Sequence, residues 1–231
     1  MNPSKVIVLY VAPWVALTAF LLFLLVYLAP VVLLQTRVAM LTVTHHSSDP
    51  LDGPSVFLGA LGSCSRATSH AGVECTSPSL NPAYDLSDSL PPTAPHFLLS
   101  APPVPPGFLG LALAYSIIFF VLFTLVSYRH KMGKKSAATL DKPAIQRVLV
   151  WLGVSGFLLG FTSFLIMHIW FGKAARDFNH NIVVEGSAGP QLIATVGNAF
   201  IMGWVAYGFY GVLVVISIVK LNVKASKWTD F

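Results

Sequence analysis

FLGLALAYSIIFFVLFTLVSY, from Phe108 to Tyr128, decides what kind of fold this chain adopts. The run holds no Asp, Glu, Lys or Arg and reaches the roughly 20 residues that a helix needs to cross about 30 Å of hydrocarbon. Three further runs read the same way: Val6–Leu34 before it, and Val148–Phe171 and Leu192–Val219 after it. The sequence therefore predicts an all-α membrane protein, a four-transmembrane-helix bundle forming one domain over residues 1–231, with spans at about 6–34, 108–128, 148–171 and 192–219. Composition agrees, because 55% of residues are hydrophobic, 10% are charged and the mean hydropathy is +0.73. A soluble domain of this size has no interior large enough for that much apolar surface.

A net charge of +5 raises nucleic acid as a partner class. Ten of the fourteen Lys and Arg instead flank the apolar runs on one side, with no interleaved aromatic platform, so the charge is a topology signal and no nucleic acid is expected. Short loops set orientation, since long ones translocate largely regardless of charge. Between spans two and three, Arg129, Lys131, Lys134, Lys135, Lys142 and Arg147 face one acid, Asp141. Between spans three and four, Lys173 and Arg176 are balanced by Asp177 and Glu185. The segment 129–147 is thus expected to be a basic cytoplasmic loop, with both termini cytoplasmic, including a short tail at 220–231 that carries Lys220, Lys224 and Lys227. The first run is too long for a signal-peptide core, and no small-x-small cleavage site follows it before Gln35 and Arg37, so it is expected to stay as an anchor. Pro13 and Pro30 punctuate its ends.

The stretch 35–107 is then an extracellular loop. Val38–Thr44 reads as a strand, His45–Pro54 as a turn, Val56–Cys64 as a second apolar strand and Gly72–Thr76 as a third. From Pro91 to Pro106 seven of sixteen residues are proline, which removes ladder donors and favours a stiff or unfolded lead into span two. The chain's two cysteines, Cys64 and Cys75, both lie in this loop. In an oxidising compartment a disulfide is the expected reading, and closing a loop of this size contributes roughly 3 kcal/mol on the chain-entropy model. Zinc is the competing reading, but His45, His46 and His70 lack the paired spacing of a closed tetrahedral site, so neither metal nor cofactor is expected. Gly59 and Gly62 permit a bend or close backbone approach just before the staple.

Leu58-Gly59-Ala60-Leu61-Gly62-Ser63-Cys64, followed by Cys75-Thr76-Ser77-Pro78 and Tyr84, resembles the Gly-x-x-Gly-x-Cys element and second Cys of the fungal SUR/PalI family. The motif covers about thirty residues, and the span order covers the whole chain. That family is similar to claudin-like proteins, so the resemblance implies a small disulfide-stapled extracellular β-sheet on a four-helix bundle. The chain departs from claudins in its tryptophans, Trp14, Trp151, Trp170, Trp204 and Trp228, none of which lies in the loop.

Within the spans no carboxylate or basic residue offers a proton relay or a charged ion path. His168 and Asn198 are expected to form an interhelical polar pair, with a ligand or proton site as the alternative. Gly110 and Ala114, Gly156 and Gly160, and Ala199 and Gly203 have the four-residue spacing of helix contacts, whether within one bundle or in a homo-oligomer. Trp151 and Trp170 stand at opposite ends of span three, as interface anchors do. No Gly-x-Ser-x-Gly, phosphate loop or His-Glu-x-x-His is present, so no catalytic residues are assigned and an enzyme is not expected.

What the resemblance implies is a plasma-membrane accessory or scaffold of the SUR/PalI type that assists a larger membrane sensor in ambient-pH signalling, with membrane lipids and that sensor as partners. PalI proteins commonly carry a long cytoplasmic tail, in contrast to the short one here. The alternatives are an organiser of cortical plasma-membrane domains, associated with eisosomes and cell-wall maintenance, or a regulator of calcium influx.

Overall fold

The computed structural model describes residues 11–45, 54–67, 71–82, 84, 106–140, 142–185 and 191–229. The turn at 46–53, the proline-rich stretch 91–105, Lys5, His46 and His70 lie outside the described residues. In chain order the elements are α1 (Ala12–Leu28), β1 (Leu41–His45), β2 (Ser55–Leu58), β3 (Ser63–Arg66), β4 (Glu74–Cys75), α2 (Pro106–Ser127), a 3₁₀ turn (Arg129–Lys131), α3 (Lys134–Leu140), α4 (Pro143–Glu185), β5 (Leu192–Val196) and α5 (Ala199–Thr229). The protein is mostly helical, and among the described residues three helices are long and apolar enough to cross a membrane: Pro106–Ser127, Pro143–Val184 and Ala199–Val219. Ala12–Leu28 is a shorter apolar helix of 17 residues, which at about 1.5 Å per residue extends about 25 Å. These features fit a multi-pass membrane protein.

Several element boundaries differ from the sequence reading: the first apolar run, read as a span over 6–34, is helical at Ala12–Leu28 and not over 29–34, and the strands read at Val38–Thr44 and Gly72–Thr76 are shorter, at Leu41–His45 and Glu74–Cys75. The last apolar run is not helical throughout, since Leu192–Val196 is a strand and the helix begins at Ala199. Ile193, Thr195 and Val196 are β-branched, and this segment finds an unpaired strand edge on β1. The loop expected after Phe171 is helical to Glu185, giving α4 43 residues and a length of about 65 Å. Phe171, Ala175 and Phe178 supply the reason, because their helical spacing makes one buried stripe that continues beyond the apolar run. Finally, Val56–Cys64 is two strands and not one, divided by a turn at Gly59–Gly62 in which the Gly59 N–H donates to the Gly62 carbonyl.

The chain divides into two compact units. The first comprises residues 1–23, 110–162 and 204–231 and is helical. Its core joins Ala12, Ala16 and Ala19 of α1 to Phe119, Phe123 and Val126 of α2, Leu149 of α4, and Tyr210, Leu213 and Val214 of α5. Small residues on α4 receive aromatic side chains. A Cβ at Gly153 would lie 2.7 Å from the Phe119 ring, one at Gly156 would lie 2.8 Å from Tyr115 Cβ, and one at Gly160 would lie 2.6 Å from the Tyr207 hydroxyl. Gly160 also faces Ala112, whereas Ala114, expected at a helix contact, is exposed. Phe23 meets Tyr207 edge-on at 4.3 Å, and Phe161 meets Trp204 at 5.5 Å.

The second unit comprises residues 24–109 and 163–203. Its centre is a five-stranded antiparallel sheet of order β4-β3-β2-β1-β5. Leu41 opposes Leu58 and Val43 opposes Val56, which sets four apolar residues on one face. Phe57 opposes Cys64 on the other face, where Val31, Ala39, Val73 and Cys75 complete a small cluster. All four residues of β2 are consequently buried, and β2 is the middle strand of the sheet.

Candidate functional site: the stapled sheet

Cys64 and Cys75 are bonded, with an S–S distance of 2.09 Å and a Cα–Cα distance of 4.0 Å. They stand directly opposite each other on β3 and β4. With only two residues, β4 has too few ladder hydrogen bonds to hold its position alone, and the covalent link holds it. Around the staple, Thr76 Oγ1 accepts from the Ser63 N–H at 3.0 Å and lies 3.2 Å from the Ser63 carbonyl, while the Thr76 N–H donates to that carbonyl at 2.9 Å. Gly62 has φ 153°, a conformation that L side chains rarely adopt, and a Cβ there would lie 2.5 Å from Thr76 Oγ1.

Gly59 occupies one of the tightest places in the unit. A Cβ at this position would run into the Ala29 carbonyl and the ring of Pro30, so the turn after β2 is pressed onto the backbone that leaves α1. The Gly59 carbonyl accepts a 2.7 Å hydrogen bond from the buried Tyr84 hydroxyl. The Tyr84 ring lies 6.1 Å from both Trp170 and Phe171 of α4. Burial pushes the Tyr84 phenol above its ordinary pKa, which keeps it protonated and able to donate. Gly59, Gly62, Cys64, Cys75 and Tyr84 therefore meet in one junction that ties the sheet to the exit of α1 and to α4. Trp170, expected as an interface anchor, is half-buried within this junction.

The far edge of the sheet is closed by a residue that the sequence did not single out. Asn179 of α4 donates from Nδ2 to the Ala194 carbonyl at 2.9 Å and accepts at Oδ1 from the Ala194 N–H at 2.8 Å. One side-chain amide thus substitutes for the next strand. The only signal in the sequence was an Asn inside a helix-compatible segment, and its meaning depends on β5 being a strand.

His168 and Asn198 have partners of different kinds. The His168 ring stacks on Phe200 at 4.5 Å. Asn198 lies at the start of α5, where its Nδ2 donates to the Arg37 carbonyl at 2.7 Å and its Oδ1 accepts from the Ala39 N–H at 3.4 Å. The Ala199 N–H donates to the Ala39 carbonyl, and the Gly197 N–H to the Met40 carbonyl. Asn198 accordingly fastens the first turn of α5 to the strand segment before β1. This placement satisfies donors that a helix start leaves open.

Among the described residues no group of three or more His, Cys, Asp or Glu is placed to hold a metal ion. The basic positions of 129–147 fall on the 3₁₀ turn, α3 and the start of α4, all within the helical unit. Arg129 Nη1 donates to the Val126 carbonyl at 3.4 Å, and Lys131 Nζ lies 5.7 Å from the centre of the Tyr128 ring. Compared with known proteins, the chain matches no family model and no curated protein.

Proposed function

We propose that the chain is a four-span plasma-membrane accessory protein of the SUR/PalI type, with both termini cytoplasmic, which acts by association and not by turnover. In this reading it assists a larger membrane sensor in ambient-pH signalling, and its outer sheet is the recognition surface. The observation that supports it is the convergence of the motif residues. Gly59, Gly62, the Cys64–Cys75 staple and Tyr84 meet in one junction that holds the sheet against the exit of α1 and α4, as a module that acts by association would need. A rigid outer sheet loses little conformational entropy when a partner docks on it.

Crosslinking and recovery from native membranes tests the reading. The unaltered chain should bring down a larger multi-span protein, and Gly62→Val should lose it while the helices remain inserted. Cells lacking the protein should fail to grow at alkaline pH. Normal alkaline growth, together with static surface patches that disappear when the protein is removed, would shift the reading to an organiser of cortical membrane domains. Solute flux through liposomes holding the purified protein alone would overturn the accessory role. Labelling of Lys131→Cys from outside intact cells would overturn the orientation.

A further inference from the structure

The end of the helical unit formed by the 3₁₀ turn, α3 and the start of α4 carries Arg129, Lys131, Lys134, Lys135, Lys142 and Arg147 against one acid, Asp141. Orientation alone requires only an excess of such charge in a loop. Three features go further and fix the depth and aim of the charges. Trp151 is 70% exposed, as an indole at the headgroup level of a membrane is. Arg147 is exposed one turn before it, about 6 Å along the helix axis, and Lys142 is exposed about 13 Å before it. On the adjoining helix, α2 ends at Ser127 and the exposed Lys131 ammonium lies 5.7 Å from the centre of the Tyr128 ring.

The start of α4 also departs from ordinary helix chemistry. The N–H groups of Ile145 and Gln146 donate to the Lys142 carbonyl, which puts Lys142 in the capping position. Helices favour Ser, Thr, Asp or Asn there, because those side chains accept hydrogen bonds from the first turn, and a lysine ammonium accepts none. The first turn of α4 holds no acid. The first turn of this 43-residue helix thus carries no anionic side chain of its own and is flanked by Lys142 and Arg147.

We propose that this end docks on anionic phospholipid headgroups, with Lys131, Lys142 and Arg147 as the contacts. The inference rests on the membrane-spanning reading above but not on which side is cytoplasmic. Clustered Lys and Arg beside a membrane helix attract anionic lipid through short-range, salt-sensitive electrostatics.

The test uses the full chain with its disulfide intact and a donor dye attached through Met132→Cys. The protein is reconstituted into phosphatidylcholine vesicles containing acceptor-labelled phosphatidylinositol bisphosphate in both leaflets. Energy transfer should show the acceptor enriched about fivefold or more over a random distribution, an enrichment that 0.5 M salt weakens. A donor placed through Val183→Cys, at the other end of α4, should read the random level. Enrichment at position 132 should vanish in a Lys131→Gln, Lys142→Gln, Arg147→Gln variant and persist in the charge-keeping Lys131→Arg, Lys142→Arg, Arg147→Lys variant. A random distribution around position 132, or enrichment that survives charge removal, overturns the proposal. Because the lipid is present in both leaflets, an inverted orientation would appear in the outside-labelling experiment and leave this result unchanged.

Discussion

Glycines serve opposite purposes in the two units. In the helical unit, Gly153 lies against the edge of the Phe119 ring, a side-chain end that can tilt, while Gly156 and Gly160 lie against Tyr115 Cβ and, beside the Tyr207 hydroxyl, Ala112 Cβ. In the sheet unit, Gly59 and Gly197 lie against main chain, the carbonyls of Ala29 and Ala39. Main-chain atoms held by neighbouring strands and helices cannot move aside without breaking hydrogen bonds. Substitution is therefore less costly where a ring edge faces the glycine, as at Gly153, than where main chain does, as at Gly59.

The largest expected effect breaks that junction. Gly59→Ala should destabilise the sheet unit by about 3 kcal/mol or more, since the added methyl group overlaps backbone. Gly153→Ala should cost less, about 1 kcal/mol, because the added methyl group meets the edge of the Phe119 ring, which can tilt. Thermal unfolding in detergent, with hydrogen exchange read separately for β2 and α4, checks the pair. Equal effects from the two substitutions would remove the distinction between backbone and side-chain packing.

Removing the staple comes next. Cys64→Ala should cost roughly 3 kcal/mol on the chain-entropy model. Exchange protection should be lost from β3 and β4 and retained in α2 and α5, because helix insertion depends on apolar length and not on the sheet. Loss of protection in α2 would show that the helices need the staple.

Asn179→Ala should have a smaller effect, about 2 kcal/mol, from leaving the N–H and carbonyl of Ala194 without their partner. Exchange should rise at β5 first. Asn179→Asp should recover only part of the loss, since a carboxylate accepts from the Ala194 N–H but cannot donate to its carbonyl.

The smallest effect concerns pH. The Tyr84 phenol has a folded pKa raised above its unfolded value of about 10, so its contribution is fully present below pH 10 and is lost as pH rises further. Between pH 5 and 9 the difference in stability between the unaltered protein and Tyr84→Phe should be flat, at about 1 kcal/mol for one hydrogen bond. Above pH 10 the two should converge. A difference that changes between pH 5 and 9 would show that another group titrates in the junction.

Much of this protein was legible in the order of its residues, for reasons that are local. Apolar length alone placed α2 and the central part of α4 and α5, because a helix that satisfies its own backbone needs only an uncharged surface to enter lipid. The cysteines announced their bond through number and context, and the motif glycines announced a close approach. The sequence could not say what Gly59 approaches, because Ala29 lies thirty residues earlier and only folding brings the two together. It could not separate Leu192–Val196 from the helix that follows, since an apolar run has no face of its own and the choice was made by the open edge of β1. That strand in turn gave Asn179 its role and turned Asn198 from a helix residue into a clasp between sheet and helix. Charge and hydrophobicity act on each residue where it stands, so sequence determined which segments could leave water. Strand pairing and backbone contact join distant parts of the chain, so only the tertiary structure decided which of those segments became sheet.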